Sequence, residues 1–309
     1  MTLVWLVLLH AVNLIVVPLM LTGAVRKVKA AMQMRVGSPI LQPFLDVAKL
    51  LRKGETISET ASWVFVWAPR ISLAIAAVAA VLVPWAGPSL PEGWSGASNF
   101  LLVLYLLAVS RFASLLAALD TGSAFGGLGA SREATISTLV EPTLVIGLAS
   151  IAVSTGSTDL QAMLAHPSAP LVAILAGIAL LLASLAELSR MPVDDPTTHL
   201  ELTMVHEAMV LENSGTNLAF VEYAAALRMC IFFGLSIQML LHAWAGFAEL
   251  SQPLQYALSI SCLFVGGALV AMGEGVAVKL RWRSVPNFLA FAAASSFLAA
   301  LIAVTQRQP

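Results

Sequence analysis

Residues 2–29 read TLVWLVLLHAVNLIVVPLMLTGAVRKVK. Between Thr2 and Val25 there is no Asp, Glu, Lys or Arg; Arg26, Lys27 and Lys29 then follow in quick succession. A bilayer core about 30 Å thick needs roughly 20 apolar residues of helix to cross it, and this stretch is long enough. A secretory signal would carry its basic residues ahead of the apolar run. Here they come after it. Segment 2–25 is therefore expected to remain as a first membrane span, with the N-terminus outside and the basic flank in the cytoplasm.

The rest of the chain repeats that pattern. Apolar runs at 62–86, 99–119, 136–156, 169–188, 219–244, 254–275 and 286–304 predict seven more spans. Of the 309 residues 59% are hydrophobic and 11% charged, with a mean hydropathy of +0.89. A soluble domain carries about 25% charged residues, so this chain lacks the polar groups to cover a water-facing surface. A net charge of −1 with no basic face argues against a nucleic-acid partner. Cys230 and Cys262 lie inside apolar runs without metal-ligand spacing and read as buried thiols.

The connections test the orientation independently. Segment 26–61 holds Arg26, Lys27, Lys29, Arg35, Lys49, Arg52 and Lys53; Arg132, Arg190, and Lys279 with Arg281 and Arg283 mark the other connections on that side. Alternate loops 87–98, 157–168 and 245–253 contain no Lys or Arg, and Arg307 is the one basic residue assigned outside. The expected architecture is all-α: a single integral domain, 1–309, of about eight transmembrane helices with both termini outside. Loops 26–61 and 189–218 are longer than a helix junction requires and keep apolar periodicity, so both are expected to be folded. No internal repeat is visible.

Within the first long loop, Pro43 can open a helix with Phe44, Leu45, Val47, Ala48, Leu50 and Leu51 on its apolar stripe, an interfacial geometry. GSAFGGLG, 122–129, follows no strand and lacks a GK[ST] ending, so close helix packing is the better reading than phosphate binding. Glu133 is expected at the entrance of the fourth span, and Glu141, before Pro142, several residues inside it. Arg111, Glu187, Glu222, Arg228 and Glu274 are also placed within spans, and Arg70 near an end. A charge in hydrocarbon costs at least ~2.5–3.5 kcal/mol, so each must face a partner, a hydrated cavity, or hold a proton.

The second long loop reads MPVDDPTTHLELTMVHEAMVLENSG, 191–215, with Asp194, Asp195, Glu201, Glu207 and Glu212, two histidines and no Lys or Arg. Asp194-Asp195-Pro196 is a helix-start signal. His199 and His206 lie on nearly one face, but neither H-E-x-x-H nor a paired E-x-x-H is present, so no metal site is expected. Nothing resembles an activated nucleophile. The apolar residues Leu200, Leu202, Met204, Val205, Met209, Val210 and Leu211 argue for re-entry against the bundle.

AELSRMPVDDPTTHLELTMVHEAMVLENSG resembles the fifth-to-sixth helix connection of the complex I subunit 1 family. It is more similar still to the formate hydrogenlyase subunit 4-type membrane subunits of group 4 nickel–iron hydrogenases. ALDTGSAFGGLGASRE resembles that family's third-to-fourth connection and RVGSPILQPFLDVAKLL its first loop, so the likeness spans essentially the whole chain. It implies a membrane anchor that docks a soluble electron-transfer arm and couples redox energy to proton or sodium movement. Arg35, Gln42, Pro43, Asp46 and Lys49 then fall in the arm-docking loop, with Arg190 beside it. Glu187, Asp194, Glu201 and Glu212 match the acidic loop, and Glu133 and Glu141 match acidic positions of the family's proton path. With Asp195, Glu207, Glu222 and Glu274 they make up the candidate coupling carboxylates.

The first loop is shorter than the doubled glycine–proline loop of complex I, and Thr197–Glu212 is longer than its counterpart. Both favour the hydrogenase branch over the alternative, the quinone chamber of a complex I-like quinone oxidoreductase. No flavin, iron–sulfur or nickel ligands are visible, so the chain itself is expected to be non-catalytic and to bind no cofactor unless the quinone alternative holds. The resemblance implies hydrogenase-like large and small subunits, a ferredoxin-like iron–sulfur subunit and antiporter-like membrane subunits as partners, in a bacterial cytoplasmic membrane.

Overall fold

Proline and glycine decide where these helices bend and where they touch. The computed structural model describes residues 3–85, 97–166, 169–194 and 204–307. In chain order its helices are α1 Leu3–Ile15, α2 Val17–Met32, α3 Gln42–Leu51, α4 Trp63–Leu82, α5 Phe100–Asp120, α6 Ala124–Thr155, α7 Leu160–Ala165, α8 Pro170–Glu187, α9 His206–Val210, α10 Gly215–His242, α11 Gln252–Val276 and α12 Val285–Arg307. Eight stretches among the described residues are long and apolar enough to cross a membrane. The chain is a multi-pass, all-α membrane protein.

The first of these stretches runs Leu8–Met32, across the joint between α1 and α2. Pro18, which has no N–H to donate to Leu14 O, lies at that joint. The ladder nevertheless continues, from Val16 N to Val12 O at 2.8 Å and from Met20 N to Val16 O at 3.1 Å. Because α2 extends to Met32, Arg26, Lys27 and Lys29 are helical residues rather than the start of a loop.

The larger departure from expectation is α6. It begins at Ala124, not near 136, and its 32 residues make a rod of about 48 Å. All but the first two residues of the glycine-rich run thus lie in the opening of a helix, with Ser123 at its N-cap and Gly122 at φ +66° before it. Glycine is a poor helix former, by about 1 kcal/mol against Ala, and close packing offsets that cost. A Cβ at Gly129 would stand 2.8 Å from Val205 O and 2.9 Å from Met209 Cγ, so α9 seats directly on the α6 backbone. Glu133 consequently sits deep in α6 and is buried, instead of standing at a helix entrance.

α10 is the axis of the bundle, packed by α4, α8, α11, α3 and α2. Its middle is apolar and closed, with Cys230, Ile231, Phe232, Phe233 and Leu235 all buried. Its first turn ties the two long connections together. Gly215 adopts φ +52°, and a Cβ there would come within 2.6 Å of Gly54 O. Next to it, Ser214 Oγ accepts from Thr56 N at 2.8 Å and donates to Thr56 O at 2.9 Å.

Candidate functional site

The charged connections gather at one end of the bundle around a cavity of about 400 Å3, walled by α2, α5, α6, α8, α9 and the first half of α10. Its acidic lining residues are Glu133, Glu187, Asp194, Glu207 and Glu222; its basic ones are Arg26, Lys29, Arg111, Arg190 and Arg228. Five carboxylates against five cations lets buried charge persist, because each ion keeps a counter-ion in a region that water alone does not solvate. The space is polar and large enough to be hydrated.

Arg111, projecting from α5, is the hub. Its guanidinium contacts Glu187 at the end of α8 directly and lies 3.8 Å from Glu133 and 3.5 Å from Glu141, both on α6. Arg111, Glu133 and Glu187 are buried, whereas the Glu141 side chain is 48% exposed. The cluster therefore runs sideways, from the cavity to the outer surface of α6. Ser189 Oγ lies 3.5 Å from Glu133 Oε2, and Arg228 of α10 interacts with the same carboxylate. Glu187 Oε2 and Arg111 Nη1 are buried without a hydrogen bond, so the cluster keeps polar capacity in reserve.

A second cluster joins α2 to α11. Glu274 Oε1 accepts from Arg190 Nη1 at 3.2 Å, and its Oε2 lies 3.4 Å from Lys29 Nζ. The third is built on Asp194. One carboxylate oxygen pairs with Lys279 Nζ at 2.7 Å, and the other accepts from Val205 N at 3.0 Å and His206 N at 3.3 Å, fixing the start of α9. Arg132 reaches the same place, donating to Met204 O at 3.2 Å. Burial pushes the His206 imidazole down to about 4; the nearby Arg228 adds to that effect and Asp194 opposes it. His206 is thus a neutral wall of the cavity at pH 7.

The acidic loop has basic partners after all: Asp194 finds Lys279, delivered by the connection between α11 and α12. Glu207 lines the cavity, Glu212 is exposed at the end of α9, and Asp195 and Glu201 lie outside the described residues. Glu222 faces the cavity near Arg26 and Asp46. Of the residues assigned to arm docking, Arg35 and Lys49 are exposed and Pro43 is buried. Asp46 is held by Gln42 Nε2 at 2.9 Å and by Arg26 at 3.7 Å. Arg190 turns inward to Glu274 and Met229 Sδ rather than lying on the loop surface. The sequence reading placed none of Lys29, His206, Arg228 and Lys279 among the candidate site residues. Among the described residues no group of three or more His, Cys, Asp or Glu could hold a metal ion.

The family model described as NADH dehydrogenase matches residues 4–308. The chain is 32% identical over 239 residues to hydrogenase-4 component C of Escherichia coli (strain K12), covering 76% of this chain and 74% of that protein. It is 29% identical to formate hydrogenlyase subunit 4 of the same organism, covering 95% and 98%. It is also 29% identical to a subunit of the NADH-quinone oxidoreductase of Paramagnetospirillum magneticum (strain ATCC 700264 / AMB-1), covering 93% and 79%. Among solved structures it superposes on a chain of the membrane-bound sulfane sulfur reductase, an archaeal respiratory membrane complex, with a TM-score of 0.78 at 18% identity, over 96% of this chain and 98% of that one.

Proposed function

The chain belongs to the NADH dehydrogenase family, that of complex I subunit 1, and from that premise we propose that it is the membrane-anchor and coupling subunit of a redox-driven ion pump of the hydrogenase and formate hydrogenlyase type. The distribution of Lys and Arg supports a cytoplasmic position for its charged end, and the bacterial relatives support a bacterial cytoplasmic membrane. There α3 and the first loop dock a soluble arm made of hydrogenase-like large and small subunits and a ferredoxin-like iron–sulfur subunit. Antiporter-like membrane subunits stand alongside in the bilayer.

One arrangement carries the reading: the Arg111 guanidinium shared by Glu133, Glu141 and Glu187 between the cavity and the flank of α6. A cluster with more carboxylates than guanidinium groups takes up or releases a proton when a nearby charge changes. Electron transfer in the docked arm supplies that change. The carboxylates answer by exchanging protons with the cavity, and Glu141 passes the response to whatever packs on α6.

The test is made in the assembled complex. Glu187→Gln and Glu141→Gln should leave subunit composition and electron transfer intact and abolish the ion uptake coupled to them. Complexes that assemble, turn over and pump at the wild-type ratio remove the coupling role. A stoichiometric quinone extracted from the purified complex would replace this reading with that of a quinone-chamber subunit.

A further inference from the structure

The other end of α10 borders a second cavity of about 170 Å3, between α7, α11 and the turn that follows α10. Among the described residues its polar lining is neutral: Gln161, Gln238, His242, Gln252, Gln255 and Ser259, with no Asp, Glu, Lys or Arg. What matters is which halves of these groups are already used. Gln255 Nε2 donates to Phe247 O at 3.2 Å, Ala248 O at 3.4 Å and Leu250 O at 3.0 Å. Gln238 Nε2 donates to Trp85 O at 3.3 Å and Ser259 Oγ at 3.0 Å, and Ser259 Oγ donates in turn to Gln255 O at 2.7 Å.

Carbonyl oxygens only accept, so both amides are fixed with nitrogen toward the backbone and oxygen away from it. The same logic applies to His242. Its Nδ1 lies 2.7 Å from Gln238 O and must carry the hydrogen, which leaves Nε2 as the acceptor of the neutral ring. Three lining residues thus keep acceptors to offer while their donors are spent.

The helix ends offset each other here: the last carbonyls of α10 form the negative end of its dipole, and the first turn of α11, with Gln252 and Gln255 in the lining, brings a positive end. Fixed charge on the neighbouring loops decides the sign. The flanking loops 157–168 and 245–253 carry Asp159 and Glu249 and no Lys or Arg. Trp244 is 57% exposed on the same turn, a residue type that settles at the head-group layer.

We propose that this cavity binds a primary ammonium group, presented by the ethanolamine head of a membrane phospholipid. Three N–H donors on a small cation match an acceptor-lined, uncharged pocket that opens at the bilayer interface. Hydroxyl heads offer fewer donors and no charge. The inference does not depend on the proposed coupling role.

The test uses the full chain purified in mild detergent and native mass spectrometry to count retained lipid. Phosphatidylethanolamine should be retained roughly tenfold better than phosphatidylcholine of the same acyl chains, because trimethylation keeps the charge and removes every N–H donor. His242→Phe keeps a ring against Phe247 and should bring the ratio close to one. Ala165→Trp, at the exposed mouth, should do the same by filling the cavity. Equal retention of the two lipids by the wild-type chain overturns the proposal, as does an undiminished preference in both variants. Free ethanolamine that displaces the lipid at equal concentration overturns the assignment to a lipid head.

Discussion

The two ends of α10 border cavities of opposite character. One, of about 400 Å3, is crossed by ion pairs from several helices; the other, of about 170 Å3, is neutral and lined with amides. Between Arg228 and Gln238 the helix rises about 15 Å through packed apolar side chains, without a charged residue. A path straight through the protein along α10 would have to cross that plug. The charged cluster leads elsewhere, across α5 to Glu141 on the flank of α6. The contrast teaches that the ion-paired groups run across the helices to the flank of α6 and not along α10, and that the two ends should respond independently to substitution.

Arg111→Met should break the comparison most severely. It leaves Glu133 and Glu187 buried beside a missing counter-ion, a class of change that costs about 3–5 kcal/mol. The expected result is a large fall in thermal stability in detergent, with lipid retention at the amide-lined end unchanged in the fraction that folds. A variant as stable as the wild type would show that the guanidinium is not the counter-ion of this cluster.

Asp194→Asn comes next. The amide can still accept from Val205 N and His206 N, but the pairing with Lys279 is lost, and hydrogen bonds to charged groups contribute about 1.5–3 kcal/mol. Hydrogen exchange should rise in α9 and around Lys279 while the turn after α10 stays protected. Uniform protection across both ends would dismiss Asp194 as the fastening of α9.

Acid sharpens the same division. His206 is held at about 4, below the usual histidine value near 6.5, so the unfolded chain binds the extra proton first. Its contribution is complete above pH 6.5 and is lost as pH falls from there through about 4. The shift corresponds to about 3 kcal/mol at most, reduced to roughly 1–2 because the ring also borders the cavity. Melting curves between pH 7 and 4.5 should therefore fall in the wild type and flatten in His206→Gln. Parallel curves would mean that another group governs the acid response.

Much of this was legible in the sequence. Eight apolar runs gave the spans, because the bilayer imposes a length and a composition on any helix that crosses it. The start of α6 was not, since GSAFGGLG reads as a loop by propensity and becomes helix only because α9 packs on Gly129. The carboxylates that gather at the charged end stood out for a local reason: a charge in an apolar run is conspicuous. Their partners were missed. Lys279 and Lys29 lie 85 and 245 positions from the acids they meet, Asp194 and Glu274, and nothing in a local pattern records such a pairing.

The smallest expected effect tests whether the charged end is one body. The loop before α4 and the loop before α10 meet where Ser214 exchanges two hydrogen bonds with the backbone of Thr56. These bonds are exposed, so Ser214→Ala should cost about 0.5–1.5 kcal/mol and barely move the melting temperature. Its signature is local. With the loops unfastened, the exposed Lys53 should become more accessible to trypsin and the amides around Thr56 should exchange faster. Cleavage at Lys53 at the wild-type rate would mean that the Gly54–Gly215 contact alone holds the two connections. Faster cleavage that also abolishes coupled ion uptake in the assembled complex, with electron transfer preserved, would place the fastening of these loops on the route from arm to cavity.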